Sequence, residues 1–175
     1  MPVLFQTHSG KIVDLLCPIV EDILLTDIAH HLSNICRFTG ACDFYSVADH
    51  SIRVSKIVSH KNALWALLHD GPEYCLGDVS TPLKVYLNGR YSELEEAWMM
   101  AICERFDLAV EEPDEVKEAD GILLITEVRD IMVPSSADFG VRRSPLAERI
   151  IPMTPQQAKW AFIERFLEIS GEGLA

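Results

Sequence analysis

Along most of this chain apolar residues recur at intervals of three and four, the period of a helix packed on one side. The first such stripe is Ile28, Leu32, Ile35 and Cys36, opened by Thr26 or Asp27 as cap and closed near Arg37-Phe38-Thr39-Gly40, with Gly40 in the usual stop position. The second starts at Ser46, with Asp49 three residues on as a short capping box, and runs through Val47, His50, Val54 and Ile57 or Val58. A third covers Asn62 to about Asp70 and is apolar at Leu64, Trp65, Leu67 and Leu68. Pro72 has no N–H to offer the Leu68 carbonyl, so this helix must end or kink around Asp70. Longer amphipathic helices are expected over Ser92–Phe106 and Pro113–Ile131. The last helix opens on Thr154-Pro155-Gln156-Gln157, a strong start signal, and carries Ala158, Ala161, Phe162, Phe166 and Ile169. Two segments break the helical period. Val3–Leu16 holds two β-prone runs flanking Ser9-Gly10, which predicts a small hairpin. Val133–Ile151 is rich in Ser, Pro and Arg and reads as a long loop, with the makings of a lid or an oligomer contact. The expected class is all-α with a minor N-terminal β-hairpin, in one domain spanning 1–175.

Composition narrows what such a domain does. With 175 residues, 49% of them hydrophobic, the chain can build one full core but not two ordinary ones. The formal net charge is −12, and no cluster of Lys and Arg offsets it, which argues against duplex nucleic acid as a partner. No apolar run reaches membrane-spanning length and the N-terminus lacks a signal-peptide pattern, so a cytoplasmic location is expected. Five cysteines, an odd number without a CxxC pair, suit reduced thiols rather than disulfides or a thiolate zinc site.

The chemistry lies where ionisable groups interrupt apolar stripes. The stretch Ala63–Lys84 opens as a core helix and then presents His69, Asp70, Glu73, Asp78 and Lys84. Such a crowd is costly to desolvate unless something binds it. His50 shares its stripe with Val47 and Val54, and Asp120 sits among Val116, Ala119, Leu123 and Leu124. Imidazoles and carboxylates without thiolate suit a divalent transition metal such as Mn, Co or Zn, with Mg as a possible additional ion. The competing reading of any one of these residues is a hydrogen-bonded structural group.

The ordered set His50, His69-Asp70 and Asp120 resembles the H…HD…D signature of the HD-domain metal-dependent phosphohydrolases. The likeness extends to YSVADHS around His50, LLHDGPEY around His69-Asp70, GDVSTPLK from Gly77 and KEADGIL around Asp120, covering roughly Asp27 to Ile131. These segments look like the branch that holds bacterial 5′-deoxynucleotidases and the short phage-type deoxynucleoside triphosphatases. The resemblance implies an HD-domain helical bundle in which His50, His69, Asp70 and Asp120 hold the metal. It implies that Glu73 orients the attacking water or moves its proton, and that Asp78 assists or protonates the leaving alkoxide. Arg37 and Lys84 would grip phosphate, with Thr81 beside them, and Phe38 would lie against sugar or base. The implied activity is hydrolysis of deoxyribonucleotide phosphoesters, leaning to a dATP-type triphosphohydrolase. A dNMP-directed 5′-deoxynucleotidase, an alarmone or cyclic-nucleotide hydrolase and a non-catalytic metal-stabilised binding domain are the alternatives. Because Trp160, Phe162, Ile163, Phe166 and Leu167 spread around more than one face of the last helix, a homo-oligomer is also expected.

Overall fold

The computed structural model describes residues 1–135, 140 and 142–171. Of the loop expected over 133–151, residues 136–139 and 141 lie outside the described residues, as do 172–175 of the expected domain. The described chain is mostly helical, with one small hairpin at its start. In the hairpin, β1 (Leu4–Gln6) pairs antiparallel with β2 (Ile12–Asp14), Phe5 opposite Val13, around a turn where Gly10 takes φ 89°. Its tip is tied to α1 (Leu25–Asn34), because the Ser9 N–H and hydroxyl both donate to the Asp27 carboxylate. Asp27 is therefore not the helix cap that its position suggests. The N-cap is Leu24, without a side-chain bond, and the helix stops at Asn34, well before Gly40.

Helix α2 (Val47–Ile57) packs against α1, α3 (His60–Leu68), α7 (Asp114–Asp130) and α8 (Pro155–Ser170). It starts as expected, the Asp49 N–H donating to the Ser46 hydroxyl. The Asp49 side chain does not complete a capping box, since it accepts from Arg53 and from the Met153 N–H. Between α3 and α6 (Arg90–Arg105) lie two short helices that the sequence pattern did not announce, α4 (Glu73–Leu76) and α5 (Thr81–Tyr86). Helix α8 has the full capping box at Thr154 and Gln157.

Two apolar clusters form the interior. One gathers Ile28, Leu32, Val47, Leu68, Trp98, Ile102, Phe162 and Phe166. The other gathers Tyr45, Val54, Trp65, Val116, Ala119, Leu123 and Ile150. Helices α2 and α3 contribute to both, so the seam between the clusters runs along the pair and surfaces where α3 ends, at His69. The wide apolar patch expected on α8 is absent among the described residues. Phe162 and Phe166 are buried, Ile163 and Leu167 pack partly on the core, and Trp160 is the exposed aromatic. Helices α1, α2 and α3 cover what the residue pattern left open. No helix among the described residues is long and apolar enough to cross a membrane.

Candidate functional site

Four elements bring the predicted metal ligands together at this seam. His50, fully buried on α2, points its Nε2 to 3.2 Å from His69 Nε2 and 3.2 Å from Asp120 Oδ1. Ligand atoms of His50, His69 and Asp120 all lie within 4.8 Å of one another. Asp70 Oδ2 is 3.3 Å from His69 Nε2 and 3.5 Å from His50 Nε2, so it borders the same point. The turn after α3 sets this geometry. With no N–H at Pro72, the Leu68 carbonyl accepts from Gly71 at 2.8 Å instead, and the chain swings Asp70 and Glu73 to the same side. Gly71 is required for close approach there, since a Cβ would lie 2.8 Å from both Ile102 Cδ1 and the Leu68 carbonyl oxygen.

The tautomers decide what the cluster can hold. The His50 Nδ1 atom is 2.6 Å from Glu127 Oε1, and that of His69 is 2.8 Å from the Ala66 carbonyl. Both partners can only accept, so each Nδ1 carries the proton and each Nε2 turns a lone pair inward. Two bare imidazole nitrogens and two carboxylate oxygens thus face one point with no donor among them. A proton on His50 or a cation must neutralise the set. Burial and Arg37 push the His50 imidazolium down, yet Glu127 and Asp120 more than reverse this and hold it up to about 10. Asp120 has its pKa lowered despite burial, through its hydrogen bond to His50 and the charges of both imidazoles. The donor set of two imidazoles and carboxylates fits a divalent transition metal.

Glu127 is the residue that the sequence reading missed. It is fully buried on α7, with one oxygen on His50 and the other 3.1 Å from Arg37 Nη2. Its signal was present: it lies two helical turns beyond Asp120, on the face that looks at α2. Arg37 does not close α1 as expected but follows it in extended backbone, and its guanidinium lies between Glu127 and Asp70, 3.4 Å from the latter. Arg37 therefore serves first as the internal counter-charge of the site.

Glu73 is buried, and its Oε2 has no hydrogen-bond partner. Burial, then the charges of Asp70 and Asp78, raise its carboxyl well above the ordinary value. Asp78 is raised by burial too, although Arg37 opposes the shift. Phe38 and Thr39 both sit in left-handed backbone, at φ 56° and 55°, with the Phe38 ring beneath the Arg37 guanidinium at 5.3 Å. Lys84 is held by Glu95 at 2.7 Å and lies over the Tyr91 ring, so its charge is partly spent on α6. Thr81 is exposed at the start of α5 and does not line the cavity that opens on His69, Asp70, Glu73 and Asp120. That cavity has a volume of about 530 Å³. On the other side of Asp120 a second cavity, of about 440 Å³, is lined by Lys117, Arg142 and Arg143.

No family model matches this chain. An uncharacterized protein of Rhodobacter capsulatus is 40% identical to it over 121 residues, 63% of this chain and 62% of that protein. The uncharacterized protein YfdR of Escherichia coli is 39% identical over 154 residues, which is 86% of each chain. That span is long enough to include every residue of the cluster from Arg37 to Glu127 within a shared fold, and the chain belongs to the YfdR family.

Proposed function

We propose that this protein is a metal-dependent phosphohydrolase of the HD-domain type that cleaves deoxyribonucleotide phosphoesters. The observation that carries the reading is the convergence of His50 Nε2, His69 Nε2, Asp70 and Asp120 on one point, beside a buried carboxyl at Glu73 that has an unpartnered oxygen. A divalent cation there supplies Lewis acidity and a water of lowered pKa. The chain's own groups do the rest. Asp70, Asp120 and the two imidazoles fix the cation's position, Glu127 and the Ala66 carbonyl fix the imidazoles, and Arg37 balances the excess negative charge. Glu73, which lines the cavity and has a buried oxygen without a hydrogen-bond partner, would take a proton from the attacking water. Asp78, by the family resemblance, would return a proton to the 5′ oxygen as the P–O bond breaks. Water oxygen joins phosphorus and the deoxynucleoside leaves as the alcohol.

Within this reading a triphosphate is preferred over a monophosphate, since a polyphosphate tail needs positive charge beyond the α-phosphate and the cavity beside Asp120 has a basic lining, in which Lys117 also pairs with Glu112 and Arg143 with Glu118. The test is to strip the protein with chelator, restore Mn, Co, Zn or Mg, and offer a panel of dNMPs and dNTPs. Metal-dependent release of deoxynucleoside and tripolyphosphate is expected. Inorganic phosphate released from dNMPs alone would move the assignment to a 5′-deoxynucleotidase. A fully metal-loaded protein inert to both sets would overturn it.

A further inference from the structure

On the side of α2 that carries Arg53 and Lys56 lies a cavity of about 580 Å³, remote in role from the His50 cluster. Its floor is apolar, made by Ile52 and Ile57 of α2 and Leu123 of α7, and residues 146–150 with Met153 roof it. Leu146 and Ile150 reach the second apolar cluster. The rest of the roof hangs on polar pins. The Arg129 guanidinium donates to the Leu146 and Glu148 carbonyls, Asp130 accepts the Ile150 N–H, Arg53 donates to the Ile151 carbonyl, and Asp49 accepts the Met153 N–H. Every pin ends on backbone, so the roof is held at a fixed height and the space beneath it is preformed.

We infer that this cavity binds a small organic anion with an apolar body. Its volume lies within the range of small-molecule sites, and its make-up, an apolar floor with a few polar groups, is theirs as well. Arg53, Lys56 and Arg149 line it against one carboxylate, Glu148, in a chain whose net charge is −12. Arg53 is paired with Asp49, and Arg149 with Asp130, but each guanidinium has five N–H donors and keeps some for a ligand. Lys56 is exposed and has no ion-pair partner among the described residues. The cavity's walls are faces of α2 and α7, and neither His50 nor Asp120 lines it. The inference rests on the cavity itself and not on the proposed activity.

The experiment titrates the full chain with anilinonaphthalene sulfonate, and in parallel with uncharged phenylnaphthylamine, following fluorescence with and without saturating Mn²⁺. One sulfonate probe per chain is expected, with affinity unchanged by Mn²⁺. Lys56→Glu with Arg149→Glu should weaken it by about tenfold, the loss of one charge-assisted contact, while leaving the uncharged probe unaffected. Ala147→Trp, which fills the space from its exposed rim, should abolish both. Circular dichroism and melting of each variant show that the fold is kept. Equal sulfonate binding by the charge-reversed and Trp variants, or displacement of the probe by Mn²⁺, would overturn the inference.

Discussion

Helix α2 carries two neighbouring buried acid-base groups, and their fates differ. Asp49 is fully matched: Arg53 donates to one oxygen and the Met153 N–H to the other. Its counterpart on α7, Asp130, is likewise matched by Arg129, Arg149 and the Ile150 N–H. One residue further along α2, His50 is held by Glu127 through Nδ1 while its Nε2 faces His69, Asp70 and Asp120. Similar residues on these helices are internally matched where donors equal acceptors, and could hold a metal ion where they do not. Burial alone does not distinguish them, since Asp49 and His50 are both fully inaccessible.

The sharpest way to break this contrast is to remove a ligand. His69→Ala or Asp120→Ala should empty the site of metal by elemental analysis and abolish turnover together, while far-UV circular dichroism stays helical. A fully loaded His69→Ala protein would remove the chemical side of the comparison. Next in size, Glu73→Ala should keep its metal but lose about two to four orders of magnitude in turnover, the usual worth of a proton-transfer group. If instead Asp78→Ala is dead and Glu73→Ala is within threefold of wild type, the two carboxyls have exchanged roles. Glu127→Gln leaves an acceptor for His50 but no charge for it or for Arg37. Metal affinity, measured by competition with a chelating dye, should fall about 10–100-fold.

On the matched side, Asp130→Ala should leave metal content untouched and cost about 2 kcal/mol, since it strips charged hydrogen bonds from the roof segment. A fall in Tm of about 4–8 °C is expected for a chain of this size. The Asp130 carboxyl is held below the usual range, first by Arg129 and also by the Ile150 N–H and Arg149. Its contribution is therefore complete above the unfolded-state pKa of about 4 and fades as pH falls through the lower folded-state value. The Tm gap between wild type and Asp130→Ala should narrow in acid. The smallest effect concerns association. The case for a homo-oligomer through α8 now rests on Trp160, and Trp160→Glu should lower the mass seen by light scattering if that helix meets its counterpart.

The helices and their inward faces were legible because apolar spacing and capping chemistry are local: Ser46 caps α2 and Thr154 caps α8 as their sequences require. His50, His69, Asp70 and Asp120 stood out as polar breaks in apolar stripes, and the structure brings them to one point. What escaped depended on the third dimension. Glu127, in a helix already rich in acids, looks like surface until α2 is set against it. The pairing of Arg37 with Asp70 and Glu127 spans 33 and 90 residues, too far for a local pattern to show. Helices α4 and α5 are too short to show a period, and their form follows from the turn forced by Gly71-Pro72.

Those separations have a consequence for how the molecule is made. The Arg37–Glu127 bond closes a loop of about half the chain and the meeting of Asp120 with His50 one of about two-fifths, and such long closures come late in folding. Until α7 docks, His50 and His69 are solvated imidazoles with no defined partner. By docking on α2, helix α7 brings both Glu127, which holds the His50 ring, and Asp120 of the cluster. A nascent chain has no competent site before its fold is nearly finished, and a proteolytic nick between α6 and α7 would disconnect Asp120 and Glu127 from His50, His69 and Asp70 in a single event.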